Sequence, residues 1–131
     1  MTNINVFVYG TLKRGFSNHR LLANSIYLGE EILYSGFIMY SLGGYPCVTP
    51  ADPEKSLAIL GEVYKINEQT LVTLDYLEGY PGFYDRKIIQ TKYGDTWIYF
   101  ISQENLEYRG NSLPIVFSGI WLKDRKLYLV E

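Results

Sequence analysis

One cysteine and one histidine are all that this chain of 131 residues holds of the two side-chain types most used for transition metals and nucleophilic pairs. Cys47 alone excludes an internal disulfide and suits a reducing compartment. With His19 it leaves too few ligands for a zinc site, and no H-x-x-x-H pair is present, so no metal is expected. Nothing in their spacing brings His19 and Cys47 together, and His19 reads best as a structural histidine. No serine sits in a G-x-S-x-G elbow, which counts against an α/β-hydrolase triad. Positive charge is also scarce: 12 Lys and Arg against 14 Asp and Glu give a net charge of −2. A nucleic-acid binder needs a basic face, and the Lys13-Arg14 cluster is too small to provide it. No apolar run approaches the ~20 residues that span a bilayer, and Met1 to Val6 lacks a charged stretch leading into an apolar core. The expectation is a soluble cytoplasmic protein that engages no membrane. Repeats, low-complexity tracts and linkers are missing too, so residues 1–131 read as one domain.

What the chain does have is apolar residues and tyrosine. Hydrophobic residues make up 47% and charged residues 20%, enough for an ordinary folded core, and tyrosine occurs 13 times. Tyrosine joins an apolar body to a hydroxyl that can line a polar pocket.

The stretch around which the chain is organised is Phe7-Val8-Tyr9-Gly10-Thr11-Leu12-Lys13-Arg14-Gly15, a short strand running into a loop bracketed by glycines. Glycine reaches φ > 0 and admits close approach, so Gly10 and Gly15 are expected to leave the amides between them facing a ligand. Residues 10–17 match the phosphate-binding loop except that Phe16 replaces its lysine, which argues against a nucleotide. The loop reads as a cradle for a carboxylate or a polarised carbonyl; the competing reading is a tight turn after an edge strand.

Strands are expected at Ile4–Tyr9 and Leu57–Ile66, the second with a bulge at Gly61, and as bent segments between Tyr27 and Val48. Tyr84–Lys92 and Thr96–Ser102 read as a hairpin about Tyr93-Gly94-Asp95. A short helix over His19–Asn24 would be capped by Ser17 or Asn18, and a second runs from Glu68 to Glu78 between Asn67 and Gly79. The tail from Leu113 to Glu131 reads as a short helix followed by a strand. Together these give an α+β domain, a small barrel or curled sheet flanked by two or three helices.

On the second helix Leu71, Leu74 and Leu77 form an apolar stripe at about 100° per residue. Glu78 points roughly 40° from the centre of that stripe, while Asp75 and Glu68 reach solvent. Burial and the negative end of the helix dipole both raise a carboxyl's pKa, so Glu78 is a candidate general acid and base. The alternative is a helix-end residue in open water.

With these residues in place the chain resembles the γ-glutamylcyclotransferase-like (AIG2-like) family, and within it the γ-glutamylamine cyclotransferases. The likeness rests on Val6 to Gly15 with Asn18-His19-Arg20, on Gly61-Glu62-Val63-Tyr64, and on Leu74-Asp75-Tyr76-Leu77-Glu78-Gly79-Tyr80-Pro81 leading to Tyr84 and Arg86. A weaker match is Ser118-Gly119-Ile120-Trp121, where the pattern has an acidic residue at Ile120. The resemblance implies a barrel of about six strands and an enzyme that needs no cofactor or metal. Its substrate would be a γ-glutamyl amine or γ-glutamyl peptide whose α-amine attacks its own γ-carbonyl, releasing 5-oxoproline. Carried over, Glu78 would be the catalytic proton carrier, and amides of Gly10, Thr11 and Leu12 would hold the glutamyl group. Tyr9 and Tyr84 would wall the pocket, Tyr84 hydrogen-bonding substrate, with Tyr99 placed by its strand alone. Segments 40–56 and 103–115 are expected to rim the pocket and set specificity. A binding protein that keeps the fold without turnover, and a hydrolase using the same base, are the competing readings.

Overall fold

The computed structural model describes residues 3–108 and 113–122. Seven strands lie among them: β1 (Ile4–Val8), β2 (Ile26–Leu33), β3 (Phe37–Ser41), β4 (Pro46–Pro50), β5 (Ile59–Ile66), β6 (Asp85–Thr91) and β7 (Gly94–Phe100). Helices α1 (Glu68–Glu78) and α2 (Gln103–Tyr108) and a 3-10 turn at His19–Leu22 complete the described elements. Five strands make one mixed sheet in the order β2-β5-β1-β7-β6, and β3 and β4 pair separately. Among the described strands only β1 and β7 run parallel. The fold is therefore α+β, as the sequence implies. The ladders do not close on themselves, and the closed barrel is not found among the described residues.

β1 sits in the middle because Val6, Phe7 and Val8 can be buried on both faces. Val6 and Val8 point to a core shared with Leu74 of α1, Tyr64 and Ile66, whereas Phe7 joins Met39, Val48, Val63 and Ile98 beneath the β3–β4 hairpin. The side-chain alternation of a strand thus splits the interior into two cores. The hairpin is tied to the sheet where the Ile101 amide donates to the Val48 carbonyl at 2.9 Å.

Helix α1 has the bounds that its caps dictate. The Asn67 side chain accepts from the Thr70 amide, and Gly79, with φ of 69°, closes the C-terminus. The chain then turns through a cis Tyr80–Pro81 bond into β6.

Four sequence expectations need correction. Gly61 is not a bulge: it pairs in register with Glu31, and the irregularity lies in β2 between Tyr27 and Gly29. Glycine is required at 61 because a Cβ there would lie 2.5 Å from the Val8 carbonyl and 2.6 Å from the Phe7 ring. Asn18 does not cap with its side chain; the amide instead donates to Thr11 Oγ1 at 2.9 Å. α2 was not foreseen, although Ser102, whose Oγ accepts from the Asn105 amide, is a cap signal. The tail holds no helix over 113–122, where Ile115 makes a single bridge to Tyr40; its expected terminal strand lies outside the described residues.

Gly61→Ala should cost about 2–4 kcal/mol, because the nearest atom it meets is backbone and cannot swing aside. Urea unfolding followed by tyrosine fluorescence measures it; a loss under 1 kcal/mol would mean that β5 can retreat from β1.

Candidate active site

A cavity of about 460 Å³ opens where β1 ends, between the loop that follows it, the C-terminal turn of α1 and the start of β4. Tyr9, Gly10, Thr11, Leu12, Glu78, Tyr84 and Tyr99 all line it, so every site residue singled out from the sequence meets in one place. Phe7, Val8, Ser17, Asn18, Gly44, Tyr45, Pro46, Leu77 and Phe83 complete the wall.

Several hydrogen bonds within the loop hold its shape. Lys13 donates its amide to the Gly10 carbonyl, Phe16 to Lys13 and Asn18 to Thr11, all within 3.0 Å. The His19 ring nitrogen Nδ1 lies 3.0 Å from the Leu12 carbonyl and its ring packs on Tyr64, the structural role expected of it. Among the described residues the Thr11 and Leu12 amides donate to no group. Two main-chain donors at the edge of a cavity are what an anionic or polarised oxygen requires. Gly15 has the positive φ expected, 88°, but Gly10 does not. Position 10 needs glycine because a Cβ there would stand 2.7 Å from the Pro46 ring.

Glu78 is half-buried in the last turn of α1, and its carboxyl makes no hydrogen bond among the described residues. Burial pushes its pKa up to about 7. The stripe argument reaches this residue only approximately. Leu74 is fully buried, but Leu77 is 39% exposed because the end of the helix overhangs the cavity instead of the core.

The three tyrosines have their hydroxyl protons committed to the protein. Tyr9 donates to the Tyr99 carbonyl at 2.8 Å and accepts from the Val48 amide, and Tyr84 donates to the Pro46 carbonyl at 2.7 Å. Tyr99 donates to Asp75 Oδ1 at 2.6 Å. Burial is the main cause that raises all three pKa values; the charge of Glu78 adds to each, and the Asp75 bond adds at Tyr99. They stay neutral phenols near pH 7. Glu78, the one carboxyl on the cavity wall among the described residues, is then the group there whose proton is exchangeable near pH 7.

A family model described as "Gamma-glutamyl cyclotransferase, AIG2-like" matches residues 6–123. The chain belongs to this family. The gamma-glutamylcyclotransferase family protein ytfP of Citrobacter rodentium is 38% identical, the match covering 94% of this chain and 98% of that protein. The solution structure of ytfP from Escherichia coli superposes with a TM-score of 0.68 at 35% identity over 94% of this chain and 99% of that one. An AIG2-like protein from Mus musculus gives 0.72 at 25% identity, covering 88% and 86%.

In this γ-glutamylcyclotransferase family member, helix α1 is also clamped beside its acid. Asp75, expected in solvent, is instead half-buried: Arg86 Nε meets its Oδ1 at 2.8 Å and the second guanidinium nitrogen its Oδ2 at 3.2 Å. The guanidinium lies over Tyr80 at 4.4 Å and over Trp97 at 4.2 Å. Helix-wheel geometry could not show this, since Arg86 comes from the next strand. The specificity segments are also partly revised: Gly44, Tyr45 and Pro46 from segment 40–56 reach the cavity, whereas no described residue of 103–115 does. Tyr45 and Phe83 meet edge to face at 6.4 Å, a contact between two loops that no local pattern announces.

Arg86→Met should destabilise by about 2 kcal/mol, leaving the partly buried Asp75 carboxylate with Tyr99 alone. Chemical denaturation at pH 7 tests it. A loss below 0.5 kcal/mol would rank the pair with ordinary surface salt bridges.

Proposed function

We propose that the protein is a γ-glutamyl cyclotransferase acting on a γ-glutamyl amine or γ-glutamyl peptide. The observation that carries the reading is the pairing, in one cavity, of a half-buried carboxyl and two main-chain amides that have no hydrogen-bond partner among the described residues. Ionised Glu78 takes a proton from the substrate's α-ammonium. The freed amine attacks the γ-carbonyl, and the Thr11 and Leu12 amides receive the oxygen as it becomes an oxyanion. Glu78 then passes its proton to the outer nitrogen and takes the surplus proton from the ring nitrogen. As the tetrahedral carbon collapses the bond to the outer nitrogen breaks, and the departing amine carries that last proton away as its ammonium, leaving Glu78 ionised again. The products are 5-oxoproline and a free amine; no water is consumed and no cofactor is called for. Because attack is intramolecular, holding the chain folded supplies much of the catalysis, worth up to ~7–11 kcal/mol. Tyr9, Tyr84 and Tyr99 shape the wall. With its hydroxyl donating to the Pro46 carbonyl, the Tyr84 oxygen is left as an acceptor suited to the α-ammonium.

Incubation with γ-glutamyl-ε-lysine, γ-glutamyl dipeptides and simple γ-glutamyl amines, with products identified by mass spectrometry, tests the proposal. Release of 5-oxoproline is expected. Glutamate would mean hydrolysis, and an unchanged but bound ligand would mean a binding protein.

A further inference from the structure

Glu62 lies outside the cavity, yet it is joined to the loop that borders it. In the ladder between β1 and β5 it stands opposite Val8, the last residue before that loop. Its Oε1 accepts the Arg14 amide at 3.0 Å and the Tyr64 hydroxyl at 2.9 Å. Among the described residues, most other hydrogen bonds of residues 10–19 stay within residues 10–21, the Lys13 amine, which donates to the Trp121 carbonyl at 3.0 Å, being an exception. Internal bonds make the segment rigid but do not place it. What places it is its attachment to the sheet: from β5 the Tyr64 ring packs on His19, and Glu62 makes the hydrogen bond to its backbone. A carboxylate accepting a main-chain amide forms a charge-assisted bond, stronger than a neutral one.

We infer that Glu62 is a positioning residue: through the Arg14 amide it sets the distance of the Thr11 and Leu12 amides from the reacting carbonyl. The role rests on the cyclotransferase reading for its effect on rate, but not for its effect on the loop. Oxyanion donors lose their worth over small displacements, because they act on charge present only in the transition state. Loosening the anchor therefore lowers kcat and leaves substrate binding in the ground state largely intact.

Glu62→Ala should lower kcat about 10–100-fold with KM within about threefold and with the pH midpoint set by Glu78 unmoved. Glu62→Gln keeps the accepting oxygen, and its new amide nitrogen can be solvated in the neighbouring cavity of about 410 Å³ that Glu62 also lines. It should retain at least a third of the kcat. Tyr64→Phe removes one hold on the carboxylate and should cost about three- to tenfold in kcat, which keeps the test open if the alanine variant does not fold. In ¹⁵N relaxation spectra of the whole protein, the Thr11 and Leu12 amides should gain mobility in Glu62→Ala but not in Glu62→Gln. Wild-type kcat in Glu62→Ala and Tyr64→Phe, or a KM effect as large as the kcat effect, would overturn the inference and leave the cyclotransferase reading standing. If the wild type itself releases no 5-oxoproline, that reading fails, and the relaxation spectra decide the anchor alone: unchanged Thr11 and Leu12 amides would sink it.

Discussion

Glu78→Gln is expected to lower kcat/KM for 5-oxoproline release by about 10²–10⁴ at pH 8, the usual contribution of a positioned acid or base. Glutamine keeps the shape and polarity of the side chain and removes only the titrating proton, so folding should survive. The substitution should even stabilise the protein. A carboxylate pushed up to about 7 by burial is held ionised at a cost at pH 8, and a neutral amide at the same place is not. About 1–3 kcal/mol of added stability is expected from a shift of this size, discounted for the partial exposure of the group. Steady-state kinetics and urea unfolding on one preparation measure both. Wild-type turnover in the Gln variant would remove Glu78 from the mechanism.

A second large effect is expected on acidification. The base must be ionised to accept the ammonium proton, so kcat/KM should fall tenfold per pH unit below a midpoint near 7, reaching about a hundredfold by pH 5. Stability runs the other way. Since the folded pKa lies above the ordinary value of 4.5, the folded state binds the proton more tightly than the unfolded chain does. The stability contributed by Glu78 is fully present below about pH 4.5 and is lost as pH rises through about 7. Subtracting the Gln variant's stability curve from that of the wild type isolates this contribution from every other titrating group. An acid limb centred near 4.5 in the rate profile would mean that the carboxyl is in water, and both halves of the expectation would fall together.

Legibility of this site in the sequence followed the range of the interactions involved. Asn67 and Gly79 bound α1 because capping involves groups three or four residues apart, and any chain that carries them must satisfy the same helix-end amides and carbonyls. The loop from Gly10 to Gly15 was visible for the same reason. Glu78 was conspicuous as an acid on an apolar helix face, although that face proved to overhang a cavity at Leu77 and not to continue into the core.

Contacts between distant segments were invisible. Pro46 explains both why position 10 is glycine and where the Tyr84 proton goes, yet it lies 38 residues from Tyr84. Asp75 looked like a solvent residue until β6 brought Arg86 across it and β7 brought Tyr99. Gly61 looked like a bulge because the sequence shows that a side chain is missing but not what fills the space, which is the Phe7 ring and the Val8 carbonyl.

The sequence by itself determined the chemistry on offer: an acid on the apolar side of a helix, a glycine-bracketed turn, many tyrosines, and few histidines, cysteines or positive charges. Composition and local pattern suffice for that, since they act through neighbours along the chain. Only the tertiary structure decided which tyrosines spend their protons on the protein, which acid is paired and which is left open, and what holds the turn to the sheet. Those outcomes depend on distances between residues tens of positions apart, which are set when two cores pack against opposite faces of one sheet.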